Sequence, residues 1–305
     1  MQHMKRYIWG FMLCLLAQQA GAQTWGNTST QVAPLGTQYF QNQYLGNPSF
    51  AGVDTGLHLN GAYRRQWNDV PGAPVAMAFT ADYLVGKRVG AGLNIFRDEA
   101  GLITRTRVSV TYAYHLPLSL SGRQKLHFGL SAGLRNDRLD LSKLNGDATD
   151  PSLNLFNRRD NYFDVDFGVA YTDGHLNIQA ALPNVVGYFQ SDNKDIANSS
   201  TWFTAVSYRV DVGEGFTSIE PKVCFRAVRG FDNIFDFGAN IALLNNWVNV
   251  FGMYHTSQNF TVGAGFSYRT RFGLQLIYST QTAGLKNYLG DNFTLGLTVN
   301  LFDGK

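Results

Sequence analysis

Few residues in this 305-residue chain are spaced in a way that could do chemistry. His255 and Ser257 stand two apart with Asn259 just beyond. On a strand both side chains would share a face, which is how a general base is set beside a nucleophile, with an amide to orient the imidazole. The same stretch also reads as a hairpin tip, where Ser and Asn serve turns. Asp164 and Asp166 put two carboxylates on one strand face. They could hold a cation, but the Gly and distal Glu of a calcium loop are missing, so arginine partners fit them better. The remaining histidines show no metal-ligand spacing. Gly90-x-Gly92 and Gly263-x-Gly265 fall on strands and are not phosphate loops. Arg64, Arg65, Gln66 and Trp67 form the densest cationic–aromatic cluster, either a partner site or a loop tied back to its own fold. No catalytic residue, cofactor or metal is expected.

The elements that would carry these residues are almost all strands. Phe293, Leu295, Leu297, Val299 and Leu301 alternate with Thr294, Gly296, Thr298 and Asn300, a period of two. The same alternation runs back along the chain, through Phe260–Tyr268, Phe235–Ile241, Phe163–Tyr171, Leu126–Leu134, Val75–Tyr83 and Leu57–Tyr63. Trp247–Tyr254 is the least regular stretch. About 14 strands result, each near the roughly 9–11 residues that a tilted transmembrane strand needs. The reading is all-β: a transmembrane antiparallel β-barrel with an even strand count and both termini on the periplasmic side. Turns after even-numbered strands are short, as at Val85–Lys87 and Thr172–Gly174. The long connections, 136–161, 183–200 and 280–290, all follow odd-numbered strands.

Composition agrees. Only 15% of residues are charged, where about 25% is usual, and glycine is frequent at 32 residues. The alternating apolar face carries almost no charge. The opposite face holds Asp82, Arg105, Arg107, Asp164, Asp166, Glu220, Lys222, Arg226, Asp236 and Arg269. Arg or Lys on the lipid face near mid-membrane costs about 2–4 kcal/mol, so these residues should point inward. Phe260/Tyr268 and Phe163/Tyr171 cap the apolar face eight residues apart, or roughly 20 Å of height for a strand tilted ~40°, as aromatic girdles require. A net charge of +3 gives no case for nucleic acid.

Residues 1–22 read as a secretory signal, with Lys5 and Arg6 before an apolar run and Ala20-Gly21-Ala22 at the cleavage site. Residues 23–53 are polar and weakly patterned, and either enter the lumen or meet a periplasmic partner. The barrel takes residues 54–305. Cys14 belongs to the leader, which leaves Cys224 alone in the mature chain.

Several motifs resemble one family. Asn47-Pro48-Ser49-Phe50-Ala51-Gly52 is similar to the NPAYAG signature of PorP/SprF proteins. Tyr63-Arg64-Arg65-Gln66-Trp67 with Pro71-Gly72-Ala73-Pro74 resembles that family's YRNQW…GAP segment. Ser49-Phe50 stands where the family has Ala-Tyr, and Arg65 where it has Asn. The C-terminal Thr294-x-Gly296-x-x-Val299-x-Leu301-Phe302 resembles the assembly signal of outer-membrane barrels. The resemblance implies a non-enzymatic component of the type IX secretion and gliding-motility apparatus. Such a protein would sit in outer-membrane lipid with a secreted cargo or adhesin bearing a C-terminal sorting domain, and with periplasmic secretion or motility components. On this basis Asn47, Pro48, Ala51 and Gly52, with Arg64, Arg65, Gln66 and Trp67, are the candidate partner-binding residues. A passive diffusion or ligand-transport porin and a membrane-embedded lipase are the competing readings.

Overall fold

The computed structural model describes residues 34–66, 73–139, 161–189, 201–213, 216–228, 232–280 and 291–302. A short helix, α1 (Thr37–Phe40), and two single 3-10 turns (Gln43–Leu45 and Pro48–Phe50) precede the sheet. The strands are β1 (Leu57–Arg65), β2 (Val75–Leu84), β3 (Val89–Ala100), β4 (Ile103–Pro117), β5 (Lys125–Leu139), β6 (Tyr162–Thr172) and β7 (Leu176–Leu182). A second short helix, α2 (Val185–Phe189), follows β7. Next come β8 (Thr201–Tyr208, continued by Val210–Asp211), β9 (Phe216–Val228), β10 (Ile234–Leu243) and β11 (Val248–His255). β12 (Asn259–Tyr268), β13 (Phe272–Ser279) and β14 (Asn292–Leu301) complete the set. The two pieces of β8 share one register against β9, with Ser207 opposite Lys222 and Val210 opposite Ile219. The break falls beside Pro221, which has no N–H to offer a ladder.

Every neighbour is antiparallel, and β1 pairs with β14 from Leu57↔Leu301 to Arg65↔Phe293. The sheet therefore closes as a barrel of 14 strands with no free edge. Closure is what hydrocarbon demands, because an unpaired backbone group there has no water to bond. Tight turns join the strands at one end. Leu244, Asn245 and Asn246, and again Arg269 and Thr270, hold positive φ, the geometry that matches the right-handed twist of a hairpin. β1 begins and β14 ends at this short-turn end.

Alternation sorts the two faces. Met77, Phe79, Val108, Val110, Leu130, Phe163, Leu276 and Leu297 stand exposed around the outside. On a protein surrounded by water, so continuous an apolar belt would have no counterpart. Aromatic rings mark its borders. Phe235, Tyr254, Phe260, Tyr278 and Phe293 ring the long-loop end, where Tyr278 meets Phe260 and Phe293 at 6.3 and 5.3 Å. At the other end Trp247 meets Tyr268 edge-on at 5.9 Å.

Two sequence expectations change. Arg269 does not face the lumen: it lies exposed in the β12–β13 turn, over the ring of Tyr268 at 5.4 Å. A left-handed turn residue has left the strand's in–out alternation, so parity no longer says where its side chain points. β11 breaks the apolar-out pattern because Phe251 and Met253 point inward, each 2% exposed. The lumen at that height is itself apolar, for the reason given next.

Candidate functional site in the barrel lumen

Residues 34–53 run down the inside of the barrel. The segment starts at the long-loop end, where Arg64 Nη1 donates to the Pro34 carbonyl at 3.3 Å. Leu35 is buried among Ala76, Ala78, Ala62 and Phe96. Gly36 passes so close to the wall that a Cβ there would stand 2.9 Å from Ile277 Cγ2. Tyr39 then enters a buried cluster with Phe251, Met253 and Ile277, its ring 5.7 Å from that of His255. Lys222 is 2% exposed; its ammonium donates to the Tyr39 carbonyl and lies 4.8 Å above the Phe40 ring. The inward turn of Phe251 and Met253 thus gives two plug aromatics an apolar wall.

Farther down, contact is made by single polar pairs. Asn42 Nδ2 donates to Thr80 Oγ1 at 2.9 Å, and Tyr44 meets Thr111 at 2.8 Å. Asn47 is fully buried and works in two directions. Its Oδ1 accepts from the Ser49 N–H and hydroxyl at 3.0 and 2.8 Å, folding the Asn-Pro-Ser turn. Its Nδ2 donates to Gln179 Oε1 at 3.2 Å and to the Ala180 carbonyl at 3.3 Å, tying that turn to β7. Wall glycines make room for it. A Cβ on Gly129 would lie 2.2 Å from the Pro48 carbonyl carbon, and one on Gly168 2.0 Å from Asn47 Oδ1. Gly90 meets the Ala51 carbonyl and Gly92 the Tyr44 hydroxyl in the same way.

The segment leaves over Gly52, whose φ of 65° suits glycine and whose N–H donates to Asp82 at 2.9 Å. The Ala51 carbonyl lies 3.1 Å from His115 Nε2, and His115 Nδ1 lies 2.8 Å from His127 Nδ1. A carbonyl can only accept, so His115 carries its proton on Nε2, and its Nδ1 accepts from His127 Nδ1–H. His127 Nε2 is then free to accept from the Thr172 hydroxyl at 2.9 Å. Two neutral rings satisfy every group in the chain.

Wall charges are paired across strands. Arg226 is bidentate to Asp236 at 2.8 and 2.7 Å, and His255 Nδ1 lies 2.6 Å from the same carboxylate. His255 Nε2 meets Thr261 at 2.9 Å, while Ser257 donates to Asn259 at 3.3 Å. Both imidazole nitrogens are therefore taken by the lumen network. The spacing that suggested a base beside Ser257 belongs to a turn. Arg107 spans Asp164 and Asp166 at 2.8 and 2.6 Å, the arginine partnership read for that pair. Among the described residues no group of His, Cys, Asp and Glu could hold a metal.

The candidate partner residues fall into three places. Asn47, Pro48, Ala51 and Gly52 are buried where plug meets wall. Arg64 (3% exposed) and Gln66 (2%) are buried together at the mouth of β1, and the Gln66 N–H donates to the Pro74 carbonyl at 3.0 Å. Arg65 points outward and exposed, and Trp67 lies outside the described residues. The motif's immediate partner is thus the barrel's own interior. Sequence reasoning passed over Gly129, Gly168, Thr80, Thr111 and Gln179 as receivers of the plug. Their signal was there: small or amide residues on the inward phase.

Below the plug, at the short-turn end, lies a cavity of about 540 Å³. Phe50 and Tyr44 roof it, and Arg123, Lys125, Arg209 and Asn177 stand on its wall. In the neighbouring β6–β7 turn Asp173 accepts from the Leu176 and His175 N–H groups, at 2.7 and 3.1 Å, which hold its carboxyl below the usual range.

Among solved structures the chain is similar to the outer-membrane protein Omp33 of Acinetobacter baumannii (8% identity, 82% of this chain and 100% of that one, TM-score 0.49). It is also similar to the CymD monoaromatic hydrocarbon channel (11%, 82% and 89%, TM-score 0.48) and the KdgM porin (6%, 80% and 99%, TM-score 0.41). No curated protein matches it. The family model described as type IX secretion system membrane protein PorP/SprF matches residues 28–299, and the chain belongs to that family.

Proposed function

We propose that this protein is an outer-membrane docking barrel of the type IX secretion apparatus, not a diffusion pore. A secreted cargo or adhesin is held at the long-loop end, and periplasmic components are met at the short-turn end. One observation carries the reading: the lumen is filled by the chain's own residues 34–53, fastened to strands all round the wall. A pore for passive solutes has its interior free, whereas a docking protein uses its barrel as a rigid support for loops. The long connections 136–161 and 183–200, rich in Asn, Asp and Ser and lying mostly outside the described residues, are taken in this reading as the docking loops. In this reading the short turns face the periplasm, as those of outer-membrane barrels do, with the end of β14 there and Pro34 near the outer mouth. Asn47–Gly52 and Arg64–Gln66 act in this reading by fixing the plug and the first loop, and Arg65 and Trp67 are left for direct contact.

Deleting Asp140–Arg158 tests the docking role, with barrel folding checked by heat-modifiable gel mobility. Cargo should be lost from the cell surface while the barrel persists. Unchanged cargo retention on a folded barrel would refute that loop's part.

A further inference from the structure

We propose that a blind pocket between the plug and the wall of β11–β14 and β1 binds a neutral polyhydroxy ligand the size of one sugar ring. The site rests on its own geometry and stands whether or not the docking reading does.

The pocket encloses about 190 Å³, below the roughly 300–1,000 Å³ of a drug-sized site. Asn60, Thr298 and Asn300 line both it and the larger cavity beneath the plug, which gives it an opening toward the short-turn end. Its far end is shut. Gly36 passes against Ile277 there, and a Cβ on Gly296 would stand 3.0 Å from Thr37 Cγ2.

At that closed end polar groups stand buried and unused. Gln275, on the inward phase of β13, is 5% exposed, and neither its Oε1 nor its Nε2 has a hydrogen-bond partner among the described residues. Thr37 Oγ1, on a plug residue 4% exposed, and Gln41 Oε1 are in the same condition. Enclosed polar atoms left unpaired work against folding, so four of them on one small space point to an occupant that pairs them. Half-used amides complete the set. Asn60 accepts from Thr298 at 2.8 Å and keeps its Nδ2 to donate. Asn249 donates to Asn240 at 3.3 Å and keeps its Oδ1 to accept.

The lining decides the chemistry. No charged side chain borders the pocket among the described residues, so an ion has no counter-charge there. An apolar molecule would leave the amides unpaired. A sugar hydroxyl both donates and accepts, and two vicinal hydroxyls meet the N–H and C=O of one amide together. Ordered water shares that property, and a ring carrying several hydroxyls replaces a water cluster without losing its hydrogen bonds.

The test uses the folded full barrel in phosphatidylcholine nanodiscs, purified without glycoside detergents. D-glucose, D-galactose and N-acetyl-D-glucosamine are the probes, and saturation-transfer NMR is the readout. At least one should bind saturably, with a Kd on the order of 1 mM and an affinity that about 500 mM salt leaves unchanged. Gln275→Leu, similar in volume, should weaken binding about tenfold or more while leaving the thermal midpoint unchanged or higher. Lys87→Gln, in the exposed β2–β3 turn, should bind like the parent. If Gln275→Leu fails to fold, Thr37→Val should still weaken binding about threefold. No saturable binding by any of the three sugars, equal binding to the parent and to whichever of these two pocket variants folds, or a sugar-soaked structure with ordered water only in the pocket would overturn the site.

Discussion

The plug meets two different walls. Toward β9–β13 its upper part is gripped by charge and ring: Lys222 on the Tyr39 carbonyl, Asp236 held by Arg226 and His255, Phe251 against Phe40 at 5.5 Å. Toward β3–β6 its lower part comes down on glycine backbone, with Gly90, Gly129 and Gly168 leaving room for Ala51, Pro48 and Asn47. The first wall holds by attraction and would tolerate small shifts. The second adds close fit to its hydrogen bonds and would tolerate smaller ones. A segment fixed one way above and another way below can loosen at one end while remaining seated at the other.

Substitutions should separate the two ends. The largest effect is expected from Asp236→Ala, which strands Arg226 (3% exposed side chain) and His255 (5%) without their shared carboxylate. Breaking a buried pair of this kind costs about 3–5 kcal/mol. Hydrogen exchange should rise at Tyr39 and Phe40 and stay slow at Ala51; equal rises at both would mean that the two ends are not distinct. Gly129→Val should do the reverse. Its side chain would meet the Pro48 backbone, and overpacking of about 1–3 kcal/mol should free Asn47–Ala51 first. His115→Leu leaves the buried Ala51 carbonyl without its donor and should cost about 1–2 kcal/mol at the lower end, read as faster exchange at Gly52. Tyr39→Phe removes only a long 3.5 Å bond to Asp236 and should cost about 0.5 kcal/mol or less, seen as a marginal change in thermal midpoint.

The barrel was legible because its physics is periodic. Residues such as Phe293, Leu295 and Leu297 had to face one way in any strand, and charges such as Lys222 and Asp236 had to face the other. Closure followed from the last strand needing a partner, and β1 supplies it. The plug was not legible as structure. Thr37–Phe40, Gln43–Leu45 and Pro48–Phe50 are single helical turns, too short for any period to register. What fixes them is long-range: Asn47 finds Gln179 and Gly168 more than a hundred residues away. Trp247–Tyr254 looked irregular for the same reason, since Phe251 and Met253 obey the plug and not the lipid. His255 kept two readings open, because a two-residue spacing fits a strand face as well as a hairpin tip; the carboxylate and hydroxyl that claim its nitrogens come from β10 and β12 and leave no trace in local spacing.

Single-channel recording in planar bilayers asks most directly whether residues 34–53 close the barrel. The intact protein should give no steady ion current, and the variant with Gly129→Val and Asp236→Ala together, losing both holds on the plug, should open to a sustained conductance. A steady current through the intact protein, no larger in the double variant, would contradict the account.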